Sequence, residues 1–212
     1  MASQLGRTQR AHSMWRRGML ISAAALLTAL AVAGCSDSSN GDLAGQYKSG
    51  TTQNYVSGDG AITQVPPGGR TDPISFDVTA SDGTRFNSDA LAGTVVVINF
   101  WYASCPPCRA EAKHLNTVNE RFQGQDVQFI GVNVRDQRST AEAFERRFNV
   151  SYPSVIDANE GRMQLALSGE VAPNAVPTTI VLDTKGRVAA RVLGAIEGPG
   201  TLSALVSDEL GR

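Results

Sequence analysis

Two cysteines, Cys105 and Cys108, stand where an apolar run gives way to a stretch of helix-forming residues. Ahead of them, Val95-Val96-Val97-Ile98-Asn99-Phe100 is a β-branched and aromatic run of strand length. Behind them, Ala110 to Phe122 is rich in helix formers. A Cys-x-x-Cys at the turn from a buried strand into a helix is the setting of a redox-active dithiol.

The spacing predicts the chemistry of each thiol. Cys105 falls at the N-cap of the helix. Pro106 and Pro107 then occupy the first turn, where backbone N–H groups have no intrahelical partner and proline loses little. Cys108 is N3, and its N–H can point back at the Cys105 sulfur. The helix dipole favours an anion at that end as well. Cys105 is therefore expected to be the exposed attacking thiolate, and Cys108, one turn inside, the buried resolving thiol.

Other uses of the pair fit less well. A structural zinc site needs four ligands. Beyond these two cysteines the chain offers only Cys35, His12 and His114, and the first two lie at the N-terminal end. A purely structural disulfide would close a very short loop and gain little chain entropy. No metal ligand set is expected, and no cofactor beyond the Cys105–Cys108 disulfide itself.

The N-terminus sets the compartment. Residues 1–17 are basic, and Met19 to Ala33 is a predominantly apolar run of 15 residues, short for a membrane span and right for a signal peptide. It ends in Val32-Ala33-Gly34-Cys35, which resembles the lipobox of bacterial lipoproteins. That resemblance implies cleavage after residue 34 and lipid on Cys35; the alternative is an uncleaved signal anchor. Either way the chain is expected on the extracytoplasmic face of the cell membrane, where disulfide chemistry belongs. The leader carries four arginines and no acids, which leaves 15 basic and 20 acidic residues after it, a net charge of −5. Nothing there favours nucleic-acid binding.

Residues 35–71 are rich in Ser, Gly, Asn, Asp, Gln and Thr and end near Pro66-Pro67-Gly68-Gly69. Such a composition reads as a flexible tether with a span of roughly 30 Å. The folded domain is expected over 72–212. Ile74 to Thr79 and Arg85 to Asn87 flank the turn Ser81-Asp82-Gly83-Thr84 and predict a β-hairpin. Val127 to Val134 is the next buried strand, and Thr140 to Phe148 an amphipathic helix capped by Ser139 or Thr140. Tyr152 to Ile156 is a short strand and Asn159 to Leu167 a short helix. Val176-Pro177-Thr178-Thr179 leads into Ile180-Val181-Leu182, a hairpin into Val188 to Leu193, and a closing helix over 201–210.

This order resembles the thioredoxin-like fold: an α/β domain with a central mixed sheet flanked by helices, an N-terminal β-hairpin and a central helix–strand insertion. More narrowly it resembles the membrane-anchored ResA/TlpA-like thiol–disulfide oxidoreductases. The motifs that carry the resemblance are Asn99 to Glu111, Gly131-Val132-Asn133-Val134, Tyr152 to Asp157 and Val176 to Thr179. It implies that Cys105 attacks and Cys108 resolves. It implies a cis Pro177 facing the disulfide, so that the Val176 backbone can pair with a substrate strand, and an acid, Glu111, near the resolving cysteine. Asn99 stands where cytoplasmic thioredoxins keep a buried Asp. Trp101 is expected to be a structural and docking aromatic beside the site. One departure is the Pro106-Pro107 pair, which removes two N–H donors from the helix start.

The resemblance further implies a monomer that reduces disulfides in exported proteins such as apocytochrome c, during cytochrome c maturation, with electrons from a membrane thiol transporter. A general oxidase of exported thiols is the alternative within the class. A copper carrier of this fold needs a third His ligand and usually a Cys-x-x-x-Cys. A thiol peroxidase needs a Thr three residues before its cysteine, and Tyr102 holds that place.

Overall fold

The computed structural model describes residues 61–170 and 175–211. The expected signal peptide, Cys35 and the expected tether as far as residue 60 lie outside the described residues. Among the described residues, eight strands and four α-helices follow in order. They are β1 (Ala61–Gln64), β2 (Asp77–Thr79), β3 (Arg85–Asn87), β4 (Val95–Trp101), α1 (Pro106–Arg121), β5 (Val127–Asn133), α2 (Arg138–Phe148), β6 (Ser154–Ile156), α3 (Arg162–Ala166), β7 (Thr178–Leu182), β8 (Val188–Leu193) and α4 (Pro199–Glu209). Short 3-10 turns occupy Pro67–Gly69 and Asp89–Leu91.

Six strands form one mixed sheet in the order β1-β8-β7-β4-β5-β6, and β2 and β3 make a separate hairpin. β4 is central, parallel to β5 and antiparallel to β7, and every one of its residues is buried. That explains its unbroken apolar run, since a strand covered on both faces has no solvent side to keep polar. Its side chains alternate between two cores. Val96, Ile98 and Phe100 pack with Phe76, Val78, Phe86, Met163 and Leu167. Val95 and Val97 pack with Leu115 and Val118 of α1 and Leu202, Leu205 and Val206 of α4. Each such side chain, fully buried, contributes about 1.5–3 kcal/mol of transfer free energy. By the same alternation Asn99 falls on the α1 side, and this period of two is what delivers it to the redox helix.

Two expectations are corrected. The tether was expected to run to residue 71, yet Ala61–Gln64 is an edge strand, paired antiparallel with β8 from Ala61 against Leu193 to Gln64 against Ala190. Its polar composition misleads because an edge strand buries little of itself. Arg70 completes the attachment: its guanidinium meets Asp183 at 2.9 Å and Glu209 at 2.7 Å, while its Nε donates to the Val65 carbonyl. The second correction concerns α2, which starts at Arg138 with Gln137 in the N-cap position and no side-chain cap from Ser139 or Thr140. The Gln137 carbonyl takes the N–H groups of Thr140 and Ala141 instead. At its other end Asn149 adopts φ 51°, a left-handed cap that a short polar side chain tolerates.

Candidate active site

Cys105 occupies the N-cap of α1 in extended geometry, with Pro106 and Pro107 in the first turn. Its sulfur accepts the Cys108 N–H at 3.2 Å. The Cys105 N–H donates to the Tyr102 carbonyl, and its own carbonyl accepts the first helical bond from Arg109. The two cysteines form a disulfide across a Cα–Cα distance of 5.3 Å. Contrary to the exposed Cys105 expected above, both are buried in this state, Cys105 at 0% and Cys108 at 2% exposure. Once bonded, the Cys105 sulfur is held within an apolar group that contains Trp101, Tyr102, Ala103, Ala112 and Val176.

Glu111 lies one turn beyond Cys108 on the same helix, at 1% exposure. Asn99 donates its side-chain amide to one carboxylate oxygen at 2.9 Å, and the Ile196 N–H donates to the other at 2.9 Å. The Asn99 amide also reaches Thr179 Oγ1 at 3.1 Å, so one residue of β4 ties α1 to β7. Burial dominates and pushes the Glu111 carboxyl up to about 7, against the opposing pull of the two N–H donors. Near pH 7 this acid can take a proton from a neighbouring thiol or return one.

The Val176–Pro177 peptide bond is cis, the isomer implied by the resemblance. The Pro177 carbonyl accepts the Gly194 N–H at 2.9 Å, which joins it to the loop whose Ile196 binds Glu111. Among the described residues, neither the N–H nor the carbonyl of Val176 has a hydrogen-bond partner. Trp101 corrects its expected docking role. Its ring lies 4.4 Å from that of Phe144 on α2 and is only 3% exposed, so it packs the insertion helix against the site. A side chain at Gly131 would run into Ser154 Oγ and come within 3.0 Å of Trp101 Nε1, which is why the strand beside Trp101 carries glycine there.

Sequence reasoning missed Asn133, Arg135 and Asp136, which follow β5 and hold the loop ahead of Cys105. Asn133 Oδ1 accepts the N–H groups of residues 135 and 136. An Asn followed three residues later by Asp at the end of a strand was the available signal. Among the described residues no group of His, Cys, Asp or Glu could hold a metal ion.

A buried strand that turns into an N-capped Cys-x-x-Cys helix, facing a cis-proline across the sheet, defines a thioredoxin-fold thiol–disulfide oxidoreductase. Residues 66–207 match the Redoxin family, and the chain belongs to it. It is similar to thiol-disulfide oxidoreductase ResA from Bacillus subtilis, 28% identical over 125 residues that cover 59% of this chain and 67% of that one. The same protein from Geobacillus thermodenitrificans is 30% identical over 121 residues, 57% of this chain and 67% of that one. Among solved structures, a secreted thiol-disulfide isomerase from Corynebacterium glutamicum superposes with TM-score 0.65 at 28% identity, covering 74% of this chain and 96% of that one. A DsbF homologue from Corynebacterium diphtheriae gives 0.62 at 28% identity, covering 75% and 99%.

Proposed function

We propose that the chain works as an extracytoplasmic disulfide reductase. It keeps cysteines of exported proteins, apocytochrome c among them, in the dithiol form, and is recharged by a membrane thiol transporter. In this reading it acts as a monomer held at the membrane by lipid on Cys35. The observation that carries the direction is the start of α1. Pro106 and Pro107 have no N–H, and the donor to the Cys105 sulfur is the Cys108 amide. A strongly oxidising pair owes its potential to a well-stabilised thiolate in the reduced state. Here that stabilisation is modest, so the disulfide is harder to reduce and the dithiol a better donor.

The reaction runs as two exchanges. The Cys105 thiolate attacks a substrate disulfide; one S–S bond forms, the substrate bond breaks, and one substrate sulfur leaves as a thiolate that takes up a proton. Cys108 then gives its proton to Glu111, and its thiolate attacks the Cys105 sulfur of the mixed disulfide. The second substrate sulfur leaves as a thiolate and takes the proton that Glu111 holds, and two electrons have passed from the enzyme to the substrate. The free Val176 backbone would align the substrate segment during both steps.

Equilibration with glutathione or dithiothreitol, read by alkylation shift, tests the direction. A reductant has a potential below roughly −200 mV, whereas a value of about −120 mV would make the protein an oxidase. Intact-mass spectra of membrane-extracted protein test the anchor, and an unmodified Cys35 would remove it.

A further inference from the structure

We propose that Asp136 is a positioning residue for the nucleophile, a role that rests on the dithiol-exchange reading above. Residues 102–104 connect β4 to Cys105, and side chains from two other places in the chain hold them. Asp136 Oδ2 accepts the Ala103 N–H at 2.6 Å and also the Asn133 side-chain amide at 2.8 Å. Asn133, fully buried at the end of β5, in turn accepts the Asp136 N–H at 2.8 Å, so the carboxylate is aimed from both its own ends. From the opposite side Arg109 Nε donates to the Ala103 carbonyl at 2.8 Å. The Arg135 guanidinium lies 4.2 Å from the centroid of the Tyr102 ring, at cation–π distance. The Val134 N–H donates to the Trp101 carbonyl and the Cys105 N–H to that of Tyr102.

Both backbone polar groups of Ala103, its N–H and its carbonyl, are therefore fixed by charged side chains, two residues before the reacting sulfur. Bonds of this kind are short and stronger than neutral ones. Thiol–disulfide exchange needs the attacking sulfur in line with the bond it breaks, and small errors in placement cost rate steeply. A connection without such anchors would let the Cys105 sulfur drift off the Cys108 N–H that stabilises its thiolate. Asp136 touches neither sulfur; it acts through Ala103.

The test compares Asp136→Ala with Asp136→Asn. Both remove the charge, but only alanine removes the acceptor for Ala103 and Asn133. Relative to Asp136→Asn, Asp136→Ala is expected to slow exchange with oxidised glutathione about tenfold and to raise the pH midpoint of Cys105 alkylation. Indistinguishable rates and midpoints in the two variants would overturn the proposal. Circular dichroism checks the fold. If the alanine variant is unfolded, Asp136→Ser, whose hydroxyl is too short to span both partners, takes its place under the same criteria. Wild-type protein that fails to equilibrate with glutathione would end the functional reading instead, while the alkylation midpoints would still decide the role of Asp136.

Discussion

Asn99 donates its side-chain amide to the Glu111 carboxylate at 2.9 Å from the middle of a strand whose other six residues are apolar. A carboxylate at residue 99 would set two acids against each other in a buried site. The amide instead gives Glu111 a neutral donor and leaves it, among the described residues, the sole acid there with a reason to titrate near neutrality. Glu111→Gln keeps the shape and removes the proton acceptor. Disulfide exchange is expected to slow by about a hundredfold, the lower end of the usual range for loss of a general acid–base group. The pH–rate inflection near 7 should vanish with it. Stopped-flow exchange across pH 5 to 9, run on both proteins, checks this; superimposable profiles would assign Glu111 to packing alone.

The same carboxyl links stability to pH. Its folded value of about 7 lies above its ordinary 4.5, so the folded state holds a proton that the unfolded chain has lost across that interval. Stability must then fall as pH rises from 4.5 through about 7 and level off above it, by up to about 3 kcal/mol from this group. Glu111→Gln should flatten that limb and be the more stable protein at pH 8. Urea unfolding of the oxidised protein at a series of pH values measures it. A limb equally steep in the variant would show that other groups set the slope.

Cys105 is buried while bonded to Cys108 and must become reachable when reduced if it is the attacking thiol. In the reduced protein, alkylation of Cys105 should outpace that of Cys108. In Cys108→Ala, Cys105 should accumulate as mixed disulfides with substrate. Mass mapping of a brief iodoacetamide pulse decides the order, and preferential labelling of Cys108 would reverse the assigned roles.

The redox helix was legible in the sequence because its signals are local: an apolar strand, an N-cap cysteine, prolines at helix positions that tolerate them, and a glutamate three residues on. The hairpin β2–β3 was legible through its turn residues. The edge strand β1 was not, because its strand character comes from β8, far along the chain, and because Arg70 finds its acids 113 and 139 residues away. Asp136 was missed for a related reason. Nothing in its own neighbourhood says that its oxygen will meet a backbone N–H 33 residues upstream. The burial of Cys105 and Trp101 depends on α2 and the cis-proline loop packing over them, which residue types alone do not reveal.

Arg70 joins the first strand to the last helix. Its side chain is 7% exposed, and it satisfies both Asp183 and Glu209. Asp183 keeps a second guanidinium, Arg187, at 2.7 Å, but Glu209 has no other cation among the described residues. Arg70→Ala should therefore destabilise the domain by about 2–3 kcal/mol, somewhat less than the loss of one partner from a fully buried pair. It should also expose the 61–70 segment to protease well before the rest unfolds. Limited proteolysis and urea unfolding test this. A variant with unchanged stability and an intact N-terminal segment would show that strand pairing alone holds β1.

The last prediction concerns the two prolines. In position N2 of α1, Pro107 offers the Cys105 sulfur neither an N–H nor a charge. Pro107→His restores a backbone donor at the helix start and adds an imidazole beside the sulfur. Each favours the thiolate: the donor by a charge-assisted hydrogen bond, the imidazolium by Coulomb attraction that is strongest below neutral pH. The Cys105 thiol should become more acidic by about one pKa unit or more, which stabilises the reduced state by about 1.4 kcal/mol per unit. For a two-electron couple that shift corresponds to about 30 mV per unit toward oxidising potentials. The variant should reduce disulfides more slowly and oxidise dithiols faster than the parent. Glutathione equilibration and the pH dependence of Cys105 alkylation, measured together, test both halves. A thiol that becomes more acidic with no change in potential would mean that the disulfide form gained equally, and the dipeptide between the cysteines would not set the direction of this reaction.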